Sequence, residues 1–419
     1  MIAKNLHKKS NTYELHDQGF SKIDHHMEIL NGIATSVLNP IKIMDSISIS
    51  LSKELPPPNQ DLKISVIIPA KNEAEEIEKT LLAHINQQTR QKEILPHSTY
   101  EIIVLCHNCN DNTYSKCQKF ATAHPYANIH VLALNSEVAN TVGAARRVLM
   151  NIASSRLPNS NGIIASTDAD TIPDPFWLCS LESYIQTNVD LICGLINVDY
   201  NSIGGQPLTY LLAKDNYLML QAKLESQMFP DPHDPWPRHN YNWGPNLAIK
   251  KYVYQSVGGI TPLPFLEDVD LFNRVVEQGF VVKHCMDTIV KTSVRINSRC
   301  DEGFGAELKV WTENDGIPYR VEGLNKLKSR FGIYDLIKRY YENPSQEALI
   351  KISKLSHLKK KEVALLLSRF KRYETMMIYM KQHLTSCGIW NSFYPNICVM
   401  DAYQELNSHL HPSPKNSTS

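Results

Sequence analysis

Between Leu62 and Thr167 apolar runs of strand length alternate with amphipathic stretches of helix length, and this alternation restricts the possible architectures more than any other property of the chain. The first run, Ile64-Ser65-Val66-Ile67-Ile68-Pro69, leads into Glu73 to Gln87, where Ile77, Leu81, Leu82 and Ile85 share one helical face behind an acidic first turn. Glu101 to Cys106 then reads as a strand, Thr113 to Ala123 as a helix, Ile129 to Leu134 as a strand, Thr141 to Ala153 as a helix and Gly162 to Thr167 as a strand. This order predicts an α/β domain: a mostly parallel central sheet with helices on both faces and ligands outside the carboxyl ends of its strands. A strand from Val189 to Val198 and a long segment from Pro207 to Met228 follow, and the prolines of residues 230–239 then preclude regular structure.

The strand ending at Thr167 runs into Asp168-Ala169-Asp170. Two carboxylates one residue apart at a strand tip can hold a hard divalent cation through oxygen ligands, and Mg²⁺ or Mn²⁺ held in this way commonly also grips a diphosphate. By itself such a pair also fits a solvated turn or helix cap, and Thr171-Ile172-Pro173-Asp174-Pro175 is compatible with that plainer reading.

Two more segments belong with it: Pro69-Ala70-Lys71-Asn72-Glu73 after the first strand, and Gly258-Gly259-Ile260 running into Phe265-Leu266-Glu267-Asp268. In this order, over about residues 62 to 300, the set resembles the inverting family 2 glycosyltransferases, whose GT-A fold is a Rossmann-like α/β sheet. The resemblance implies a metal-dependent, hexosyltransferase-like enzyme that moves a sugar from a nucleoside-diphosphate sugar to a hydroxyl acceptor. It assigns Pro69, Ala70, Asn72 and Glu73 to the base and ribose pocket, with Asn108, Asp111 and Thr167 also on the donor side. Relatives usually carry an Asp at the position of Cys106 or His107 to hold uracil, so the donor stays open between UDP and GDP. Asp170 is assigned to Mg²⁺ or Mn²⁺, with Asp168 beside it through the metal or the ribose. Asp268 is the base that deprotonates the acceptor, with Glu267 orienting it or the acceptor, and acids in the first turn of a helix also fit plain capping.

By the same resemblance Arg146 touches the donor phosphates, although an ordinary surface helix cation fits its position equally well. Trp243, Asn246 and His239 fall on the acceptor side, with a packed aromatic the alternative for Trp243 and a satisfied hydrogen-bonder the alternative for His239 and His233. Arg295 and Arg299 are further phosphate candidates, and no third metal ligand is evident past the base. The Gln-x-x-Arg-Trp sequence of processive relatives is absent, which implies single addition. A sugar-1-phosphate nucleotidyltransferase would need a glycine-rich, cationic loop after the first strand, and Pro69 to Glu73 contains no glycine; an inactive sugar-nucleotide binding module would need no base.

The rest of the chain narrows the setting. A length of 419 residues suggests two to three domains, divided here into a variable leader (1–60), the transferase domain (61–300) and a helical C-terminal region (301–419). Lys and Arg total 43, as do Asp and Glu, so no global field recruits nucleic acid. Nine scattered cysteines and an N-terminus without a secretory signal point to a reducing cytoplasm. Cys106, Cys109 and Cys117 invite a zinc reading, but a second paired set of ligands is missing. Lys354 to Lys381 is basic and amphipathic, as expected of a solvated face over a packed one, with peripheral membrane contact the alternative.

Overall fold

Val66 and Ile68 pack into one core cluster and Ile67 into another, the two-residue period of a pleated strand, and all three are fully buried, as a strand covered on both faces requires. The structure, a computed structural model, describes residues 39–200, 203–293 and 319–412. The chain divides into two units, residues 1–43 and 44–419, and every element named here lies in the second. Arg295 and Arg299 lie outside the described residues.

Residues 44–52 are helical (α1). There follow β1 (Ile64–Ala70), α2 (Ile77–Ile85), β2 (Tyr100–His107), α3 (Thr113–Ala123), β3 (Ile129–Leu134), α4 (Val142–Arg156), β4 (Ile163–Ser166), β5 (Thr171–Pro173), α5 (Trp177–Glu182), β6 (Leu191–Asp199), α6 (Gly205–Met228), β7 (Leu247–Lys250), α7 (Lys251–Ser256), α8 (Glu267–Glu277) and β8 (Val282–Ser293). The strands form one sheet in the order β3-β2-β1-β4-β7-β6-β8-β5. Its first four strands are parallel, as the alternating pattern predicts. The other half is mixed: β7 runs antiparallel to both β4 and β6, and β5 antiparallel to β8.

This reversal positions the site. Because Ser166 at the end of β4 pairs with Leu247 at the start of β7, the residues entering β7 arrive at the edge where β1, β2 and β4 end. Pairing of Thr171 with Thr292 likewise returns the chain after Asp170 to the end of β8.

Helix α4 is buried along nearly its whole length although it carries three arginines, so each needs a partner. Arg156 bonds Glu101 of β2 through Nε (2.9 Å) and Nη2 (2.7 Å). Arg147 bonds Asp45 of α1 (2.9 Å) and the carbonyl of Ile260 (2.7 Å). Met44 and Leu51 belong to the same core as α4, so part of the expected variable leader is structural. Beyond residue 319 six helices lie between Leu324 and Leu410, together with a small antiparallel pair, Arg320–Glu322 with Asn396–Cys398. They share a core with α6, where Ala213, Tyr217 and Leu224 meet Leu327, Phe331 and Leu406. The basic stretch falls across three of these helices, which bury Ile352, Val363, Leu367, Met376 and Met380. Among the described residues no helix is long and apolar enough to cross a membrane.

His84, in the last turn of α2, is fully buried, donates from Nδ1 to the Thr80 carbonyl (2.7 Å) and meets the Trp177 ring edge-on. Burial lowers its pKa from 6.5 to about 4, despite the opposing effect of the Thr80 bond. The unfolded chain therefore binds the extra proton between these values, and stability falls as pH drops through that window. Comparing urea unfolding at about pH 7 and about pH 4.5, His84→Gln should lose roughly 2 kcal/mol of the wild-type pH dependence; an unchanged dependence refutes the assignment.

Candidate active site

Three strand ends and one helix start converge on the carboxyl edge of the sheet. The chain leaves β1 through Asn72, whose φ of 57° turns it sharply, and leaves β2 through Asn108, at φ 49°. Asp168 and Asp170 follow β4. Gly258 and Gly259, both near φ 79°, then steer the backbone towards α8, and Leu266 precedes that helix at φ 58°. Glu267 and Asp268 thus open α8, where a helix N-terminus favours carboxylates.

Arg146 of α4 joins the two acidic couples. Its Nη2 bonds Asp168 Oδ1 (2.5 Å) and its Nη1 bonds Glu267 Oε1. Burial works against its charge, but Asp168, Glu267 and Asp268 outweigh that and hold its pKa above the usual value. Burial raises the Asp168 carboxyl, Arg146 opposes the rise, and Asp170 and Asp268 add to it. Burial also raises Glu267, again opposed by Arg146 and reinforced by Asp268. All four carboxylates therefore act on one small region, and a single guanidinium offsets their repulsion. Arg146 is not the surface cation that the sequence allowed, since it is buried and each terminal nitrogen holds a carboxylate.

Gly244 completes the arrangement. Its N–H donates to Asp268 Oδ2 (2.6 Å), and the other Asp268 oxygen accepts from the N–H of Val269 (2.7 Å). A Cβ at residue 244 would run into the Arg146 guanidinium. Asp170 is half-buried and accepts from Ser293 Oγ (2.8 Å).

The tips of β1 and β2 are tied together. Asn72 Oδ1 accepts from Asn110 N (2.9 Å), Glu73 N donates to Thr113 Oγ1 (2.7 Å), and Asp111 accepts from Thr113 N (2.9 Å) and Ala74 N (3.2 Å). Asn108 accepts from Ser136 N (2.8 Å) and donates to Ser136 O (3.0 Å). With Lys71, Asn135, Ser136, Glu137 and Asn140 it lines a cavity of about 730 Å³. Pro69 and Ala70 are buried, Ala70 fully. Thr167 is also buried, and its hydroxyl has no partner among the described residues.

Of Trp243, Asn246 and His239, which the sequence assigned to the acceptor, only Trp243 is a surface. It is 37% exposed and stacks on Tyr241 at 4.6 Å with 19° between the planes, directly before Gly244. Asn246 and His239 are corrected to structural roles. Asn246 is buried, accepts from Trp177 Nε1 (2.9 Å) and donates both amide hydrogens to the carbonyls of Leu195 and Thr288 (both 2.9 Å). His239 is fully buried, its Nδ1 accepts from Tyr241 N (3.0 Å), and burial aided by His284 lowers its pKa to about 3. His233 is exposed. The proline-rich loop is pinned instead by Asp234, which accepts from His284 Nδ1 (2.6 Å) and His284 N (2.9 Å).

Among the described residues no group of three or more His, Cys, Asp or Glu is arranged to hold a metal ion. Two half-buried carboxylates at one strand tip still suit a hard cation that keeps several waters and takes phosphate oxygens as its remaining ligands.

Residues 65–243 match the family described as Glycosyl transferase family 2. The chain is 28% identical over 229 residues to "Glycosyltransferase AglE" of Haloferax volcanii, covering 54% of this chain and 65% of that protein. It is 25% identical over 241 residues to "Probable glycosyltransferase YdaM" of Bacillus subtilis, covering 55% and 49%. The match thus spans about half to two thirds of the length of these relatives. Among solved structures, TarS 1–349 of S. aureus in complex with UDP-GlcNAc is similar at 13% identity and TM-score 0.42, covering 77% of this chain and 92% of that one. Mannosyltransferase PcManGT from Pyrobaculum calidifontis, in complex with GDP-Man and Mn²⁺, is similar at 14% identity and TM-score 0.41, covering 88% and 100%.

Removing Arg146 leaves the buried Glu267 and the half-buried Asp168 without their cation. Arg146→Gln is expected to lower the free energy of urea unfolding by about 3–5 kcal/mol, and Arg146→Lys by less. Equal stability of Arg146→Gln and the wild type would contradict the bridging role.

Proposed function

Residues 65–243 belong to glycosyl transferase family 2, and from that membership we propose that the protein moves a sugar from a nucleoside-diphosphate sugar to a hydroxyl acceptor, in single additions that invert the anomeric carbon. The observation that carries this reading is the meeting of the Asp168/Asp170 and Glu267/Asp268 couples around Arg146. One carboxylate pair serves the departing diphosphate and the other serves the incoming hydroxyl, which is the separation of tasks that displacement with inversion needs.

On the attacking side, Asp268 is the group that takes the acceptor proton. Its two oxygens each accept one backbone hydrogen bond, from Gly244 and Val269, which fixes the carboxylate and leaves lone pairs for the hydroxyl. Glu267 is a positioning residue: buried and bonded to Arg146, it holds the first turn of α8 in place. Trp243, exposed beside Gly244, offers an apolar face to the acceptor.

On the donor side, Asn72, Glu73, Asn108 and Asp111 shape the loops that receive the nucleotide, with the buried Pro69 and Ala70 supporting them from beneath and Thr167 beside Asp168. Asp170, with Asp168 beside it, would hold Mg²⁺ or Mn²⁺, which when bound supplies Lewis-acid stabilisation of the diphosphate leaving group. The donor is UDP- or GDP-linked.

Thermal shift against UDP- and GDP-sugars with and without Mn²⁺ tests the donor assignment; equal, metal-independent shifts with every donor argue against it. Asp268→Asn should reduce kcat by about 10²–10⁴-fold while donor affinity stays within a factor of about 3, and Asp170→Asn should weaken Mn²⁺-dependent donor binding. Wild-type turnover in Asp268→Asn would remove the base from this scheme.

A further inference from the structure

Within the C-terminal helical region, large apolar side chains stand in solvent beside a run of lysines. The short helix Gly388–Phe393 is anchored by Trp390, which is fully buried, while Ile389 (53% exposed) and Phe393 (63%), one turn apart, face outward. No large apolar side chain among the described residues is more exposed than Phe393. Its ring lies flat on that of His357, with centroids 4.2 Å apart and 7° between the planes, and Tyr394 reaches the same imidazole at 6.3 Å. His357 closes the helix Gln346–Ser356, and from there the chain passes through Leu358 into Lys359, Lys360 and Lys361, all exposed, at the start of the helix Lys360–Arg369. Ile350 and Lys354, one turn apart on the helix that leads to His357, are exposed as well.

The charge of this region has one sign. No acidic residue occurs between Glu347 and Glu362, or between Glu374 and Asp401. The two acids that bracket the lysines are engaged: Glu347 pairs with Lys351 (2.6 Å), and Glu362 accepts from the N–H of Lys359 (2.8 Å). Lys354, Lys359, Lys360 and Lys361 thus concentrate positive charge locally in a chain whose formal net charge is zero. The apolar pair is not part of the packing beneath it, where Ile352, Val363, Met380 and Trp390 form the core without Ile389 or Phe393.

We propose that this patch docks the protein on the surface of an anionic membrane, with Phe393 and Ile389 inserted at the level of the headgroups and Lys354, Lys359, Lys360 and Lys361 lying over lipid phosphates. An aromatic ring and a branched aliphatic chain side by side can enter the boundary between headgroups and acyl chains, and lysine ammonium groups on long stems reach the phosphates around them. Each half alone binds weakly, because a small inserted surface gives marginal affinity and lysines alone are screened by salt; together their contributions add.

A fluid bilayer satisfies both halves of the patch at once and needs no matching shape, whereas a protein partner would need acidic side chains set in register with the lysines. The helices that carry the patch lie flat on such a surface rather than crossing it, in keeping with the absence among the described residues of any helix long and apolar enough to span a membrane.

The full-length protein, mixed with vesicles of phosphatidylcholine with and without phosphatidylglycerol, is the test. Sedimentation should carry it down with the anionic vesicles and leave it in solution with the neutral ones, and the bound fraction should fall as salt is raised. Lys359→Gln/Lys360→Gln/Lys361→Gln should weaken binding about 100-fold, at about fivefold for each charge removed, and Ile389→Ser/Phe393→Ser about tenfold. Both variants should keep the wild-type circular dichroism, since the substituted side chains are exposed. If Ile389→Ser/Phe393→Ser does not fold, Ile389→Ser alone still reads the apolar contribution. The proposal is overturned if the protein does not sediment with the anionic vesicles, or if the triple lysine variant binds them like the wild type. Unchanged affinity in the folded Ile389→Ser/Phe393→Ser variant also overturns it, by reducing the patch to charge alone. A dimer that this variant abolishes, with no vesicle binding, gives the patch to a second copy of the chain instead. None of these readouts uses the transfer reaction, so they decide the docking separately from the donor and acceptor assignments.

Discussion

Four carboxylates cannot share one region without a cation among them, and in this protein that cation is the guanidinium of Arg146. Burial alone would drive Asp168 and Glu267 towards their neutral forms, and Asp170 and Asp268 push the same way. Arg146 opposes both effects with one planar fork that reaches β4 on one side and α8 on the other. The contact ties residues 121 positions apart in sequence, Arg146 and Glu267, so the geometry of the acidic cluster and the packing of α8 on the sheet are fixed together.

This linkage explains why small residues recur around it. Gly143 faces the backbone of Leu263 so closely that a side chain would collide with it, and Gly244 lies against the guanidinium itself. Both positions let a charged centre be enclosed by backbone, which lowers the local dielectric and strengthens each interaction within it. Of the four carboxylates only Glu267 is buried, and Asp168, Asp170 and Asp268 stay half-buried, open to the ligands proposed above.

The first half of the sheet was legible because its strands are uniformly apolar and separated by helices with clear periodicity: β1, α3 and β3 fall within a residue or so of where the pattern puts them. The mixed half was less so. Leu247 to Lys250 is only four residues long, and its antiparallel insertion between β4 and β6 depends on pairings more than fifty residues apart in sequence, which no local period records. Side-chain roles followed the same division. Asp168 and Glu267 lie together as their motifs implied, whereas Asn246 and His239, in equally suggestive positions, turned inward to satisfy backbone carbonyls and N–H groups. The partners of Arg146 and Arg147 were invisible because they come from α8 and α1, and the only available signal was an arginine pair on a helix otherwise made of small and apolar residues.

Helix α4 carries a last implication. It is enclosed along almost its entire length, and its arginines are clasped by groups from α1, β2, β4 and α8. Elements so enclosed open only with the whole molecule, so their amides should be among the slowest to exchange with deuterium. Arg146 thus rides on a stationary spindle, and any adjustment that admits or releases a ligand must come from the loops turning around it.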